Sequence, residues 1–170
     1  MSDAFARAYA FCLRWEGGDS KPRPGDPNPT RKGLTQAFYD GLPKDRFPAK
    51  SVFDLTDEEV EDCYLWLWTD ARADRLPDLV AIAFFDAAVN LGKHQATKQL
   101  QRAVSVLPDG SIGPATLAAV TATSPKETVV RMLGQRIRFY RQLAERNPDK
   151  ARWLNGWLNR VTDLQRELGL

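Results

Sequence analysis

Apolar positions recur along most of the chain with the 3.6-residue period of an α-helix. Phe5, Ala8, Tyr9, Cys12 and Leu13 share that spacing, which predicts a first helix over Asp3–Glu16, capped by Ser2 or Asp3. Gly17-Gly18 closes it, because glycine tolerates the left-handed position after a helix. Residues 19–50 lose the period and are rich in Pro, Gly and Asp. This predicts a loop, with a short hairpin near Thr30–Thr35 and a short helix near Thr35–Gly41. A loop of that length within a compact domain is often functional.

The helical period then returns. Thr56-Asp57-Glu58-Glu59 sets Thr and Glu three apart, a capping box that opens a helix reaching roughly Arg75. Residues 78–91 are apolar nearly all round, which predicts a central buried helix closed by Asn90 and Gly92. A further helix is expected over 93–106, then a turn at Pro108-Asp109-Gly110. Gly113-Pro114 starts a short helix, with Pro near its first position. Ser124-Pro125-Lys126-Glu127 reads as a second capping box, opening a helix to roughly Arg146. Asn147-Pro148 starts the last helix, with Trp153, Trp157, Val161, Leu164 and Leu168 along one face. With no repeat and no strand-rich region, the predicted fold is mainly α.

Composition narrows the picture. The chain has 170 residues, 43% of them hydrophobic and 27% charged, enough for a real core in one domain or two small lobes. A net charge of +2, without a run of like charges, gives no reason to expect a nucleic-acid partner. No segment approaches a membrane-spanning length. The start, with Asp3, Arg7 and Arg14, does not read as a signal peptide, so synthesis in the cytoplasm is expected. Cys12 and Cys63 fall on apolar helix faces and are expected as buried free thiols. His94 is the one histidine, and no Cys/His spacing suits a metal or a His-based triad. No cofactor is expected.

Candidate chemistry gathers around Glu16. It lies in the last turn of its helix, where the partial negative charge of the carbonyl end disfavours a second negative charge. Trp15 and nearby apolar groups could add desolvation. Both effects favour the neutral carboxyl that a general acid needs. The plainer alternative is a solvated residue before a helix cap. Asp26 follows ten positions later and Thr30 four after that. A second carboxylate facing Glu16 could activate a water that the threonine helps hold, as in inverting hydrolysis across a gap of roughly 6.5–9.5 Å. Alternatively, Asp26 is an Asx-turn residue before Pro27 and Thr30 a turn hydroxyl. Asp19 and Asp40 are rival carboxylates.

Glu16-Gly17-Gly18, a Pro/Asp-rich loop and Thr30-x-x-Gly33-Leu34-Thr35 together resemble the glycoside hydrolase family 108 pattern of bacterial and phage muramidases. Phe85-Asp86-Ala87-Ala88-Val89-Asn90-Leu91-Gly92 is similar to that family's D-x-A-V-N-x-G segment. Leu100-Gln101 with Asp109-Gly110-Ser111-Ile112-Gly113-Pro114-Ala115-Thr116-Leu117 resembles its predicted peptidoglycan-binding region. Gly156-Trp157-Leu158-Asn159-Arg160-Val161 resembles its C-terminal G-W-x-N-R-V stretch. The chain departs from the pattern at Asp19, where an aromatic is usual, and at Asn28-Pro29, where two glycines are usual.

The resemblance implies a lysozyme-like helical fold with a long active-site loop or small hairpin after the first helix. It implies a muramidase region over 1–92 and a peptidoglycan-binding-like helical region over 93–170, packed into the same globule. It implies hydrolysis of the β-1,4 bond between N-acetylmuramic acid and N-acetylglucosamine, with Glu16 catalytic and Asp26 and Thr30 supporting. The expected setting is a phage or prophage endolysin that reaches the wall through a membrane lesion. It would act as a monomer on peptidoglycan strands, without nucleic acid or membrane insertion. A lytic transglycosylase and a non-catalytic wall-binding or secretion-assisting protein are the alternatives.

Other residues are weighed against packing. Asp86 and Asn90 lie four apart on one helical face. They are candidates for lining the substrate cleft, though a buried polar pair with Asn90 capping the helix is preferred. Tyr39, near the loop, is a candidate sugar contact. Trp66, Trp68, Trp153 and Trp157 read mainly as core. The arginines from Arg131 to Arg152 read as a solvated helix face.

Overall fold

The computed structural model describes residues 2–16, 18–19 and 30–170. Among these residues the chain forms nine α-helices, two short 3-10 turns and one two-stranded hairpin. Helix α1 spans Asp3–Glu16, as the period predicts, and Ser2 Oγ accepts from Phe5 N at 3.3 Å. Strands β1 (Thr30–Arg31) and β2 (Leu34–Thr35) pair antiparallel, Thr30 opposite Thr35. Thr35 Oγ1 then caps α2 (Gln36–Asp40). Helix α3 (Asp57–Asp70) has the expected capping box from Thr56 and Glu59.

Helix α4 (Asp78–Leu91) is the centre of the molecule. Every residue from Val80 to Ala88 is buried, and α4 packs against α1, α5 (Lys93–Ala103) and α7 (Pro125–Arg146). Phe5, Trp68 and Phe85 meet edge to face, with ring centroids 5.1–6.2 Å apart. Each wholly buried phenylalanine contributes roughly 1.5–3 kcal/mol. Helix α6 (Pro114–Ala122) leans on α7, and α9 (Leu154–Glu167) closes the bundle against α7. Cys12 and Cys63 are buried free thiols. No helix of the described chain is long and apolar enough to cross a membrane.

The departures from expectation lie at helix ends. Helix α3 stops at Asp70, because Arg72 takes the left-handed conformation (φ 60°) and Nη1 donates to the Ile112 carbonyl at 2.7 Å. Helix α5 stops at Ala103, short of a left-handed Ser105. Ser124 makes no side-chain cap on α7, so the second capping box is absent. Gly92, not Asn90, caps α4. The last helix is divided into α8 (Pro148–Ala151) and α9. Trp153, at the break, is 56% exposed and outside the core.

Candidate active site

The rotation of α1 decides where Glu16 points. Phe5, Ala8, Phe11 and Cys12 are buried, and Cys12 Sγ lies 3.9 Å from Asp86 Oδ1 on α4. Glu16 stands one helical turn beyond Cys12 and so shares its side of α1. Its Oε1 accepts from Arg160 Nη1 of α9 at 2.6 Å. No partner for Oε2 is found among the described residues, and the side chain is 22% exposed. Trp15 packs against the core with its ring partly buried. Its indole Nε1 donates to Asp163 Oδ2 at 2.8 Å.

Beneath Glu16 lies a buried ionic cluster. Asp86 has no exposed surface. Arg160 Nε donates to its Oδ1 at 2.9 Å. Arg160 Nη2 lies 2.7 Å from the same oxygen, in ionic contact but without an aligned hydrogen bond. Arg136 Nη1 binds Oδ2. Burial pushes the Asp86 carboxyl up, but Arg136 and then Arg160 outweigh it and hold it below the ordinary carboxylate value. Arg160 is also held in its charged form, Asp86 and Glu16 overcoming its burial. Because Arg160 answers Asp86 as well, Glu16 faces a shared cation rather than a free one.

The cluster continues through Arg136 Nε to Tyr140 Oη at 2.8 Å, and the Tyr140 hydroxyl donates to Asn90 Oδ1 at 2.5 Å. Trp157 stacks on the Tyr140 ring, 5.0 Å between centroids.

The hairpin covers Glu16 from the other side. Gly33 has φ +84°, and a Cβ built there would lie 2.4 Å from Glu16 Cβ and 2.8 Å from Tyr64 Oη. Only glycine permits this approach. The Tyr64 hydroxyl donates to the Lys32 carbonyl at 2.9 Å. Arg31 reaches Asp19 at 3.1 Å and Asp57 at 2.8 Å, and Lys32 reaches Asp57 at 2.7 Å. These pairs tie the hairpin to the start of α3. The hydrogen bond from Lys32 holds the Asp57 carboxyl below its ordinary value. A cavity of about 130 Å³ runs along the hairpin, bounded by Gly33, Thr35, Phe38, Tyr64, Leu67 and Val89.

The candidate residues are distributed unevenly about this site. Glu16 is at its centre. Asp26 lies outside the described residues. Thr30 begins β1 and is half-buried. Asp19 is engaged by Arg31, and Asp40 accepts from Gln36 on the exposed face of α2. Tyr39 is 1% exposed and its hydroxyl donates to the Pro48 carbonyl at 2.8 Å, so it belongs to the core and not to a sugar-contacting surface. Asp86 is likewise too deep to line a cleft and acts on Glu16 through Arg160. Asn90 is half-buried and engaged by Tyr140. Arg131, Arg138, Arg141, Arg146 and Arg152 are exposed, as the reading of that run as a solvated face expects, but Arg136 is 1% exposed and departs from it. Arg160, Arg136, Tyr64 and the close approach of Gly33 were missed as parts of the site. One signal was available: Arg136 and Arg160 each interrupt an apolar stripe, and α4 carries one acid at its centre.

Among the described residues, no group of three His, Cys, Asp or Glu side chains could hold a metal ion.

Comparison with known proteins gives two family matches in tandem. Residues 9–92 match the Glycosyl hydrolase 108 family, and residues 95–162 match the Predicted Peptidoglycan domain family. No match was found among curated proteins. Among solved structures, the chain is similar to Brucella abortus SagA, with 29% identity and a TM-score of 0.77, covering 96% of this chain and 92% of that one.

Proposed function

Because this chain belongs to the glycosyl hydrolase 108 family and is a glycoside hydrolase of peptidoglycan, we propose that it cleaves the β-1,4 bond from N-acetylmuramic acid to N-acetylglucosamine, with Glu16 as general acid. The observation that carries this reading is the seat of Glu16. One carboxyl oxygen is held by Arg160 and the group stays partly open beneath the hairpin. Fixing Oε1 leaves Oε2 to carry the proton. That proton passes to the glycosidic oxygen as the bond to the anomeric carbon breaks. A water then bonds to the anomeric carbon and gives up its proton to a base. Asp26 is the candidate base and Thr30 a candidate to hold the water. Thr30 opens β1 of the hairpin that rests on Glu16, which fits a water approaching from that side.

The proposed setting is a phage or prophage endolysin, made in the cytoplasm and acting at the wall as a monomer. The proposed division of labour sets catalysis in 1–92 and wall contact in 93–170.

The test is loss of turbidity of purified peptidoglycan, wild type beside Glu16→Gln, with fragments read by mass spectrometry. Wild type is expected to release reducing N-acetylmuramic acid ends, and Glu16→Gln to lose activity by about 10²–10⁴-fold while keeping its fold. Fragments ending in 1,6-anhydro sugars would show a transglycosylase instead. Folded wild-type protein that binds the wall without cutting it would leave the wall-binding alternative.

A further inference from the structure

Helices α5 and α7 pack side by side, and a groove of about 470 Å³ runs between them. None of its lining residues belongs to the Glu16 cluster. Gln95, Gln99, Gln135 and Gln142 line it, Arg102 and Arg138 flank it, and Phe139 supplies one apolar wall. The groove continues past Arg102, Gln135 and Arg138 into a second hollow of about 330 Å³.

Two observations mark it as more than a surface furrow. Gln99 is 2% exposed, yet both polar atoms of its amide lack a partner among the described residues. A buried amide without hydrogen bonds costs about 1–3 kcal/mol, and a core position would be filled more stably by an apolar residue of the same shape. Arg102 and Arg138 have no carboxylate partner among the described residues, whereas nearby Arg131 is paired with Glu127 at 2.5 Å. The groove therefore holds donors and acceptors that the described protein leaves unanswered, and its lining has no acidic side chain.

We infer that this groove is a binding site for the short acidic peptide carried by the glycan strand, separate from the site that cuts the sugar bond. The inference rests on the peptidoglycan reading above and assigns the wall contact to named residues. The chemistry favours peptide over sugar. A glutamine amide carries a donor and an acceptor side by side, the complement of a peptide bond. A guanidinium pairs with a carboxylate in two parallel bonds, and a neutral glycan offers it no charge to pair with. Phe139 is the one aromatic in the lining, too few for a track of stacked sugar rings.

The experiment titrates the full chain with three probes followed by NMR: an N-acetylglucosaminyl-N-acetylmuramoyl tetrapeptide, the same disaccharide without peptide and with its lactyl carboxyl capped as the amide so that it carries no charge, and the tetrapeptide alone. Both peptide-bearing probes should shift residues of the groove and the bare disaccharide should not. Arg102→Ala and Arg138→Ala should each weaken peptide binding by about tenfold or more. Both should leave cleavage of peptide-free glycan unchanged. Gln99→Leu should weaken binding while raising the melting temperature, an outcome that a merely structural glutamine would reverse.

Equal binding of the bare disaccharide, or peptide binding indifferent to all three substitutions, would overturn the inference. So would a short oligophosphate that occupies the groove in place of the peptide. Failure of the hydrolase reading looks different: no sugar bond is cut, yet the tetrapeptide still binds through Arg102 and Arg138.

Discussion

Asp86 has no exposed surface and faces two guanidiniums, one of which reaches on to Glu16. Replacing it with asparagine would leave Arg136 buried without its counter-charge and Arg160 with Glu16 alone. Breaking a buried pair from one side costs about 3–5 kcal/mol, so Asp86→Asn should lower stability in urea by that order. Its pH dependence has a definite sign. The folded-state value lies below the unfolded one, near 3.8. The stabilisation is therefore complete above about pH 4 and is lost as the pH falls through the folded value. Wild type should lose stability along that acid limb, and Asp86→Asn should lose less; parallel limbs would refute the account. The carboxylates of this cluster were visible in the sequence, Glu16 at a helix end and Asp86 in the middle of an apolar helix. Their partners were not, because Arg160 lies 144 residues from Glu16 and Arg136 lies 50 from Asp86. A helical period shows which face a residue shares, not which distant helix that face will meet.

The hairpin shows what local pattern can and cannot supply at the scale of an element. Thr30–Thr35 was expected as a short hairpin, and β1 and β2 form there. Helices α1, α4 and α7 end where their periods and prolines indicate. The helix after Thr56 was drawn too long, because the left-handed Arg72 is held by a bond to Ile112, forty residues away. The hairpin's contact was equally hidden: Gly33 enters the sequence reading only within the Thr30-x-x-Gly33-Leu34-Thr35 pattern, yet it is the point where the hairpin rests on Glu16. Gly33→Ala should therefore act twice. A methyl group 2.4 Å from Glu16 Cβ, on a backbone of positive φ, should destabilise the protein by about 1–3 kcal/mol. It should also lift the hairpin and slow cleavage by more than the fraction unfolded explains. Thermal melts beside initial rates on peptidoglycan separate the two effects; a rate loss no larger than the unfolded fraction would reduce Gly33 to a packing residue.

At the scale of the whole molecule, the two family matches meet between residues 92 and 95, yet the packing runs straight across that point. Helix α4, from the first region, is covered by α5 and α7 from the second. Asp86, the one buried acid among the described residues of the first region, is neutralised by Arg136 and Arg160 of the second. A fragment of residues 1–92 would expose the α5/α7 side of α4 to water. It would also leave Asp86 without a cation and Glu16 without the guanidinium that holds it. Burying an unpaired carboxylate and exposing an apolar helix face are each costly on the scale of a domain's net stability. The fragment is therefore expected to be poorly folded and inactive. The full chain is expected to unfold in a single transition, with a calorimetric enthalpy equal to the van't Hoff value. Circular dichroism of the 1–92 fragment, with its activity on peptidoglycan, provides the check. A folded and active fragment would mean that Arg160 is dispensable to Glu16 and that the second region serves the wall alone. An unfolded fragment would mean that the muramidase site is completed by the region whose family match is to peptidoglycan, so that catalysis and wall contact share one core.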